Sequence, residues 1–362
     1  MENLPVKKKK ALAEITHPYK FIQLVWVVLS YPEHEWDVLI RYADGQSEIV
    51  RELADLCRKT GLFHDVREMN RSGLGASSFS KMKEMAKVLF YVFTFRREKY
   101  CRKLIAQEFG DTKYQLFCAE TSFSFFGCAM MNQSRKIPTI LLEDGSWEYA
   151  DVRTYFGMAD RIAGTILFRL KVVNFITKKN FYWNRYCLKY ATRPELLIEK
   201  DFRKVRRLFS NKELMVRFNA VMKDIYRLEE LDYDVVAFTS VSLSPGKYSD
   251  NQLFKEWMEK RYAGKRILYK NHPMDSFDYS GGSENADCKY KMVPGELLIR
   301  LIGGAEVVFM FPSTMMLSFP KDRKIKAVHF NPKIMIPEYQ QGFEETLRMC
   351  KRCEIQTVEI PS

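Results

Sequence analysis

Four places in the chain combine side chains that can take a proton or hold an anion, and each stands where a strand ends or a helix begins. The first is Glu143-Asp144-Gly145, after the branched run Ile140-Leu141-Leu142. Two adjacent acids resist simultaneous ionisation, which raises one pKa and suits a general base, while the glycine turns the chain. A bare tripeptide of this kind also fits a solvated acidic turn. The second is His272-Pro273, after Arg266-Ile267-Leu268-Tyr269-Lys270-Asn271. A histidine locked by the following proline, with Lys270 beside it, can hold a phosphate oxygen or help a phosphate leave. A capping or core histidine is the plainer alternative.

The third place is Ser313-Thr314, after Val307-Val308-Phe309-Met310-Phe311-Pro312. Two hydroxyls and backbone N–H groups at a helix start make an anion site, or an ordinary N-cap. The fourth is Glu296 in Val293-Pro294-Gly295-Glu296-Leu297. A carboxylate there can hydrogen-bond ribose hydroxyls, or simply meet the helix dipole. His17-Pro18 repeats the His-Pro pair at the end of the first strand and reads as a structural turn. Gly73-Leu74-Gly75 lacks the third glycine of a dinucleotide fingerprint, and the chain holds no GxxxxGK, HExxH or GxSxG.

The elements that must position these residues alternate. Strands are predicted over 11–15, 36–41, 63–69, 114–119 and 137–142, with helices over 19–29, 47–60, 80–109 and 123–131 between them. From about 150 to 229 the pattern reads as mainly helical and basic. Alternation then resumes, with strands over 235–239, 266–270, 307–311 and 327–330 and helices over 250–261 and 296–302. Two alternating blocks predict an α/β protein of two facing Rossmann-like domains, whose ligands sit beyond the carboxyl ends of the strands. The expected layout is an acceptor-side domain over 1–155, a helical basic connecting segment over 156–229 and a nucleotide-sugar domain over 230–340. A helix over 341–362 is expected to return towards the first domain.

Composition narrows the function classes. At 362 residues the chain is long enough for two domains, and its 46% hydrophobic and 28% charged residues are ordinary for a globular protein. No apolar run reaches the 18 to 20 residues of a membrane span. Lys7 to Lys10 precede Ala-Leu-Ala-Glu, so no secretion signal is read and a cytoplasmic protein is expected. Eight scattered cysteines fit free thiols; Cys350 and Cys353 form a lone CxxC that reads as two thiols on a solvated terminal helix, not as zinc ligands. The net charge is +13, concentrated between Arg169 and Arg193, where Phe181, Tyr182, Trp183, Tyr186 and Tyr190 interleave. Neither an RNP-type strand nor a KH-type loop accompanies it, so an anionic membrane face is the expected partner and nucleic acid is not.

Taken in order, Glu143-Asp144-Gly145, His272-Pro273 and Ser313-Thr314 resemble the acidic, His-Pro and paired-hydroxyl motifs of bacterial sialyltransferases of the GT-B fold. Pro294-Gly295-Glu296 is similar to the family's ribose-binding glutamate. Thr16-His17-Pro18-Tyr19 and Arg193-Pro194-Glu195-Leu196 look most like glycosyltransferase family 52, the lipooligosaccharide and capsule branch, and the acidic and His-Pro motifs also occur in capsular polysialyltransferases. The resemblance implies an inverting transfer of sialic acid from CMP-sialic acid to a glycan or glycolipid acceptor at the inner face of the cell membrane, with no metal or other cofactor. It implies Asp144 as the base, with Glu143 its neighbour. His272, Ser313 and Thr314 would hold the CMP phosphate with Lys270 adding charge, and Glu296 would grip the ribose. The alternative is another GT-B glycosyltransferase, using a different nucleotide sugar in capsule or lipopolysaccharide synthesis.

Overall fold

The computed structural model describes residues 8–42, 47–70, 106–120, 137–143, 149, 187–197, 204–228, 232–242, 249–273, 275–281, 285–291, 293–298, 302–313, 315–316, 325–330, 337–352 and 354–360. These divide into two compact units. One holds 1–144, 166–194 and 199–225; the other holds 145–165, 195–198 and 226–362. Each unit is built on one parallel sheet.

In the first unit the strands are β1 (Lys9–Ile15), β2 (His34–Tyr42), β3 (Phe63–Asn70), β4 (Leu116–Glu120), β5 (Thr139–Leu142), β6 (Cys187–Ala191) and β7 (Val205–Arg207). Their spatial order is β3-β2-β1-β4-β5-β6-β7, and every pairing is parallel. The order reverses between β1 and β4. Helix α1 (Pro18–Ser30) follows β1, and Pro18 suits its first turn because a missing N–H costs nothing there. Every residue from Lys20 to Leu29 is buried, so α1 is a core helix with almost no solvent face. Helix α2 (Ser47–Lys59) is amphipathic and ends on Arg58 and Lys59, cations that complement its dipole. Helix α3 (Lys212–Tyr226) buries Phe218 and Met222, and Phe218 meets Trp26 edge-on at 5.9 Å between ring centres.

The second unit has β8 (Val235–Phe238), β9 (Ile267–Lys270), β10 (Ala286–Cys288), β11 (Glu306–Phe309), β12 (Ile325–Phe330) and β13 (Gln356–Ile360). Their order is β10-β9-β8-β11-β12-β13, again all parallel, with the reversal between β8 and β11. All four residues of β8 and all four of β9 are buried, as expected of central parallel strands covered on both faces. Helices α4 (Ser249–Arg261), α5 (Gly295–Leu298) and α6 (Pro337–Arg352) connect the strands. Phe254 and Met258 of α4, Tyr269 of β9, Val308 of β11 and Phe343 of α6 share one core cluster.

Two Rossmann-like sheets are therefore present, as the alternation predicts. Four differences are physical. The stretch read as mainly helical contains β6 and β7, which extend the first sheet through basic residues such as Lys189 and Arg206. The short strand β10 and the carboxyl-terminal β13 add one edge each to the second sheet. Helix α6 begins at Pro337, ahead of the expected position. Cys350 is buried at 0% exposure, so α6 does not present that thiol to solvent. Helices expected over 80–109 and 123–131, and Cys353, lie outside the described residues except for the carboxyl end of the former. Among the described residues no helix is long and apolar enough to cross a membrane.

Candidate functional site

The carboxyl edge of the second sheet collects most of the predicted site residues. At the end of β9, Asn271-His272-Pro273 makes a turn in which His272 O accepts from Asp275 N at 2.8 Å. Proline in the second place of a β-turn presets its φ and holds the preceding residue extended. The His272 side chain reaches solvent. Burial of the rest of the ring lowers its pKa; Lys270 and Lys291 push the same way, and Asp275 opposes them.

Lys270 is buried, and its ammonium donates to Asn271 O at 2.8 Å and to Lys291 O at 2.9 Å. It ties the β9 end to the loop that leads into α5. Burial lowers its pKa to about 8, against which the carboxylate of Glu296 raises it. Lys270 and Glu296 thus sense each other electrostatically. Lys270 stands next to the His-Pro pair in sequence, with its donors directed at backbone carbonyls.

Glu296 stands half-buried in the first turn of α5. Gly295, just before it, is a place where no side chain fits. A Cβ built there would overlap Met315 Sδ and come within 2.9 Å of Met315 Cε and 3.0 Å of Phe238 Cε1. The glycine lets the Ser313–Met315 segment, which follows β11, pack against the start of α5. Ser313 Oγ accepts from Met315 N at 3.3 Å, and Ser313 O accepts from Met316 N at 3.1 Å. Phe238 and Phe309, at the ends of β8 and β11, stack beneath with ring centres 4.8 Å apart. Lys270, His272, Glu296 and Ser313 are therefore gathered around the strand-order reversal between β8 and β11, where parallel sheets place ligands. Thr314 lies outside the described residues.

Sequence reasoning missed the polar layer below this edge. Asp275 is 2% exposed and accepts from Thr239 Oγ1 at 2.7 Å, Phe277 N at 3.0 Å and Tyr279 OH at 3.0 Å. Asn251 Nδ2 bonds Tyr279 OH at 2.6 Å and Ser240 O at 3.1 Å. A second buried acid, Asp250, opens α4 and accepts from Ser242 Oγ at 3.3 Å. In sequence these residues look like turn formers and helix caps, and only the tertiary fold shows them as one layer. The spacing of Asp275, three residues after the histidine of a His-Pro pair, is the one signal that could have singled it out.

In the first unit the described half of the acidic pair has a structural duty. Glu143 follows β5 and is 1% exposed. Its carboxylate accepts from Tyr19 OH, from Thr192 N, and from Thr192 Oγ1 at 2.9 Å. Its backbone carbonyl accepts from Lys20 Nζ and from Gln23 Nε2 at 3.3 Å, while Lys189 Nζ bonds Leu142 O at 2.9 Å. These bonds join the ends of β5 and β6 to the first turn of α1. His17, whose carbonyl accepts from Lys20 N and Phe21 N, is part of that turn. Asp144 lies outside the described residues.

No protein-family model and no curated protein matches the chain. Solved structures do. The glycosyltransferase of kitacinnamycin superposes with a TM-score of 0.54 at 10% identity, covering 98% of this chain and 87% of that one. UGT89C1 of Arabidopsis thaliana, complexed with UDP-L-rhamnose, gives 0.51 at 11% identity, covering 98% and 86%. The fold is GT-B. A Photobacterium 2,6-sialyltransferase in complex with CMP and lactose is also similar, with a TM-score of 0.49 at 12% identity over 96% of this chain and 78% of its own. At such identities likeness speaks for architecture, and the chemistry of a GT-B chain has to be argued from its own side chains. Among the described residues no cluster of three or more His, Cys, Asp or Glu is arranged to hold a metal ion.

Proposed function

We propose that this GT-B protein is an inverting glycosyltransferase that moves sialic acid from CMP-sialic acid to a hydroxyl of a glycan or glycolipid acceptor. The observation that carries the reading is the gathering of His272, Glu296 and Ser313 at the reversal point of the second sheet. A cation-capable ring, a carboxylate and a hydroxyl at that edge match the needs of a nucleoside monophosphate: donors for one phosphate and an acceptor for ribose hydroxyls.

In the proposed reaction the acceptor oxygen attacks the anomeric carbon as the bond from that carbon to the phosphate oxygen breaks. CMP leaves with the electron pair, and the acceptor proton passes to Asp144. The saturation of Glu143 by Tyr19 and Thr192 supports giving this role to its neighbour. His272, Ser313 and Thr314 meet the charge that grows on the departing phosphate, and preorganised donors of this sort each contribute roughly 3 kcal/mol to barrier lowering. Protein donors and a single phosphate make a divalent ion unnecessary. The proposal places the enzyme at the inner face of the cell membrane, where the basic, aromatic stretch 169–193 would meet anionic lipid; residues 169–186 of it lie outside those described.

Calorimetric titration with CMP, UDP and GDP tests the donor class. CMP binding at least tenfold tighter than UDP or GDP, and lost in His272→Ala, is the expected result. Preference for UDP or GDP would replace the sialyl donor by another nucleotide sugar on the same fold.

A further inference from the structure

The layer beneath the His-Pro turn has a form that packing alone does not require. Asp275 is a carboxylate withdrawn from water, and the groups that donate to it are neutral: the hydroxyls of Thr239 and Tyr279, the backbone N–H of Phe277 and, at 3.4 Å, the side-chain amide of Asn251. Each partner is itself fixed. Tyr279 is fully buried, stacks on Tyr269 at 4.9 Å and meets Phe277 edge-on at 4.7 Å. Burial pushes its phenol up, so it stays protonated and remains a donor. Asn251 reaches in from α4 to bond Tyr279 OH and Ser240 O.

This layer grips the His272 backbone from both sides. Asp275 N donates to His272 O at 2.8 Å, and His272 N donates to Thr239 Oγ1 at 3.2 Å. The same Thr239 hydroxyl gives its proton to Asp275 Oδ2 at 2.7 Å. A closed circuit therefore runs from His272 N through Thr239 to the Asp275 carboxylate and back through the Asp275 N–H to His272 O. Hydrogen bonds to a charged acceptor are roughly twice as strong as neutral ones, so ionised Asp275 stiffens the circuit.

We propose that Asp275 is the positioning residue of the nucleotide site: with Thr239 it fixes the His272 backbone and supplies the negative charge that keeps the imidazole able to accept a proton when a phosphate binds. The charged groups acting on His272 are Lys270 from β9, Lys291 from the loop before α5, and Asp275 from the turn itself; Glu296 acts on Lys270. Both lysines and burial drive the ring towards neutrality, and Asp275 opposes them. A ring held neutral would be a weaker phosphate partner than an imidazolium. The proposal rests on the nucleotide reading for its purpose and on the circuit alone for its geometry.

Two measurements separate those parts. The chain has five histidines, so the imidazole signal of His272 can be assigned by its loss in His272→Ala and titrated by NMR without any ligand. Asp275→Asn should lower the His272 titration midpoint, while Asp275→Glu should return part of the shift. CMP affinity at pH 7.5 should fall about tenfold in Asp275→Asn, with the loss smaller at pH 6, where the ring regains its proton more readily. Thr239→Val should weaken CMP binding with a smaller change in the midpoint, and Thr239→Ser should restore it. Thermal unfolding of each variant reports whether it folds, and Thr239→Val serves if Asp275→Asn does not. An unmoved His272 midpoint in folded Asp275→Asn overturns the proposal. Normal midpoints and shifts, in a wild-type protein that does not bind CMP, would instead overturn the nucleotide reading and leave the circuit standing.

Discussion

Replacing Gly295 by alanine adds one methyl group at a point where the protein has no room for it. The new Cβ would overlap Met315 Sδ and stand 2.9 Å from Met315 Cε and 3.0 Å from Phe238 Cε1. Alanine suits a helix better than glycine by nearly 1 kcal/mol, so propensity alone predicts a gain. Overpacking a close contact costs about 1 to 3 kcal/mol and here opposes that gain. Phe238 is pinned by its stack on Phe309 and cannot yield; Met315 is unbranched and must. The methionine stands two residues after Ser313, whose hydroxyl accepts from its backbone N–H, so its displacement should shift that hydroxyl. Net destabilisation of about 1 kcal/mol, or roughly 2 to 4 °C in melting temperature, should accompany a loss of CMP affinity of about tenfold or more. Shortening the obstacle provides the control. In the double variant Gly295→Ala, Met315→Ala the overlap with the methionine is gone and only the 3.0 Å approach to Phe238 Cε1 remains, so affinity should recover towards that of Met315→Ala alone. A double-mutant cycle by differential scanning fluorimetry and calorimetry measures this coupling. Additive effects of the two changes would refute the argument that Gly295 is kept for close approach.

Other consequences follow from the same geometry. Asp144→Asn should leave CMP affinity nearly intact and cut turnover roughly 100-fold or more, whereas Glu143→Gln should act mainly on stability, by about 1 to 3 kcal/mol, because buried donors from Tyr19 and Thr192 lose a carboxylate. If Asp144→Asn stays active, the buried Asp250 at the edge of the second sheet is the next carboxylate to remove. Lys270 carries a folded pKa of about 8 against 10.5 for an ordinary lysine. Between these values the unfolded chain holds a proton that the folded chain has released, so stability should rise with pH across pH 8 to 10.5, and Lys270→Met should flatten that rise in urea titrations. Transfer activity should survive excess chelator; loss restored by magnesium or manganese would contradict a phosphate held by protein donors alone.

The parts legible in the sequence are those whose physics is local or repetitive. Central strands such as Val235–Phe238 and Ile267–Lys270 are buried throughout, and they read as the apolar runs Val235–Phe238 and Ile267–Tyr269. Pro18 and Pro273 mark their turns whatever surrounds them. What stayed hidden depends on tertiary contact. Lys189 and Lys20 are fully buried because each finds a backbone carbonyl at the end of β5, and no periodicity assigns lysines to a core. That is why β6 passed for part of a basic helical stretch. Strand β13 alternates exposed and covered residues at a sheet edge, a weak pattern five residues long. Asp275 and Asn251 look like turn and cap residues in sequence, and become a buried polar layer only once β8, β9 and α4 assemble. Nothing in the letters ties Glu143 to Tyr19 and Thr192 either; those bonds form only when α1, β5 and β6 come together.

The most direct test of the proposed sialyl transfer is the mass of a product. The purified protein would be incubated with CMP-sialic acid and galactose-ended and sialylated acceptors, beside a parallel set of UDP- and GDP-sugars, and each mixture read by mass spectrometry. A mass gain of one or more sialyl residues on an acceptor, made only with the CMP donor and abolished in His272→Ala, is the predicted result. Transfer of a hexose from a UDP- or GDP-sugar, with CMP-sialic acid left intact, would contradict it.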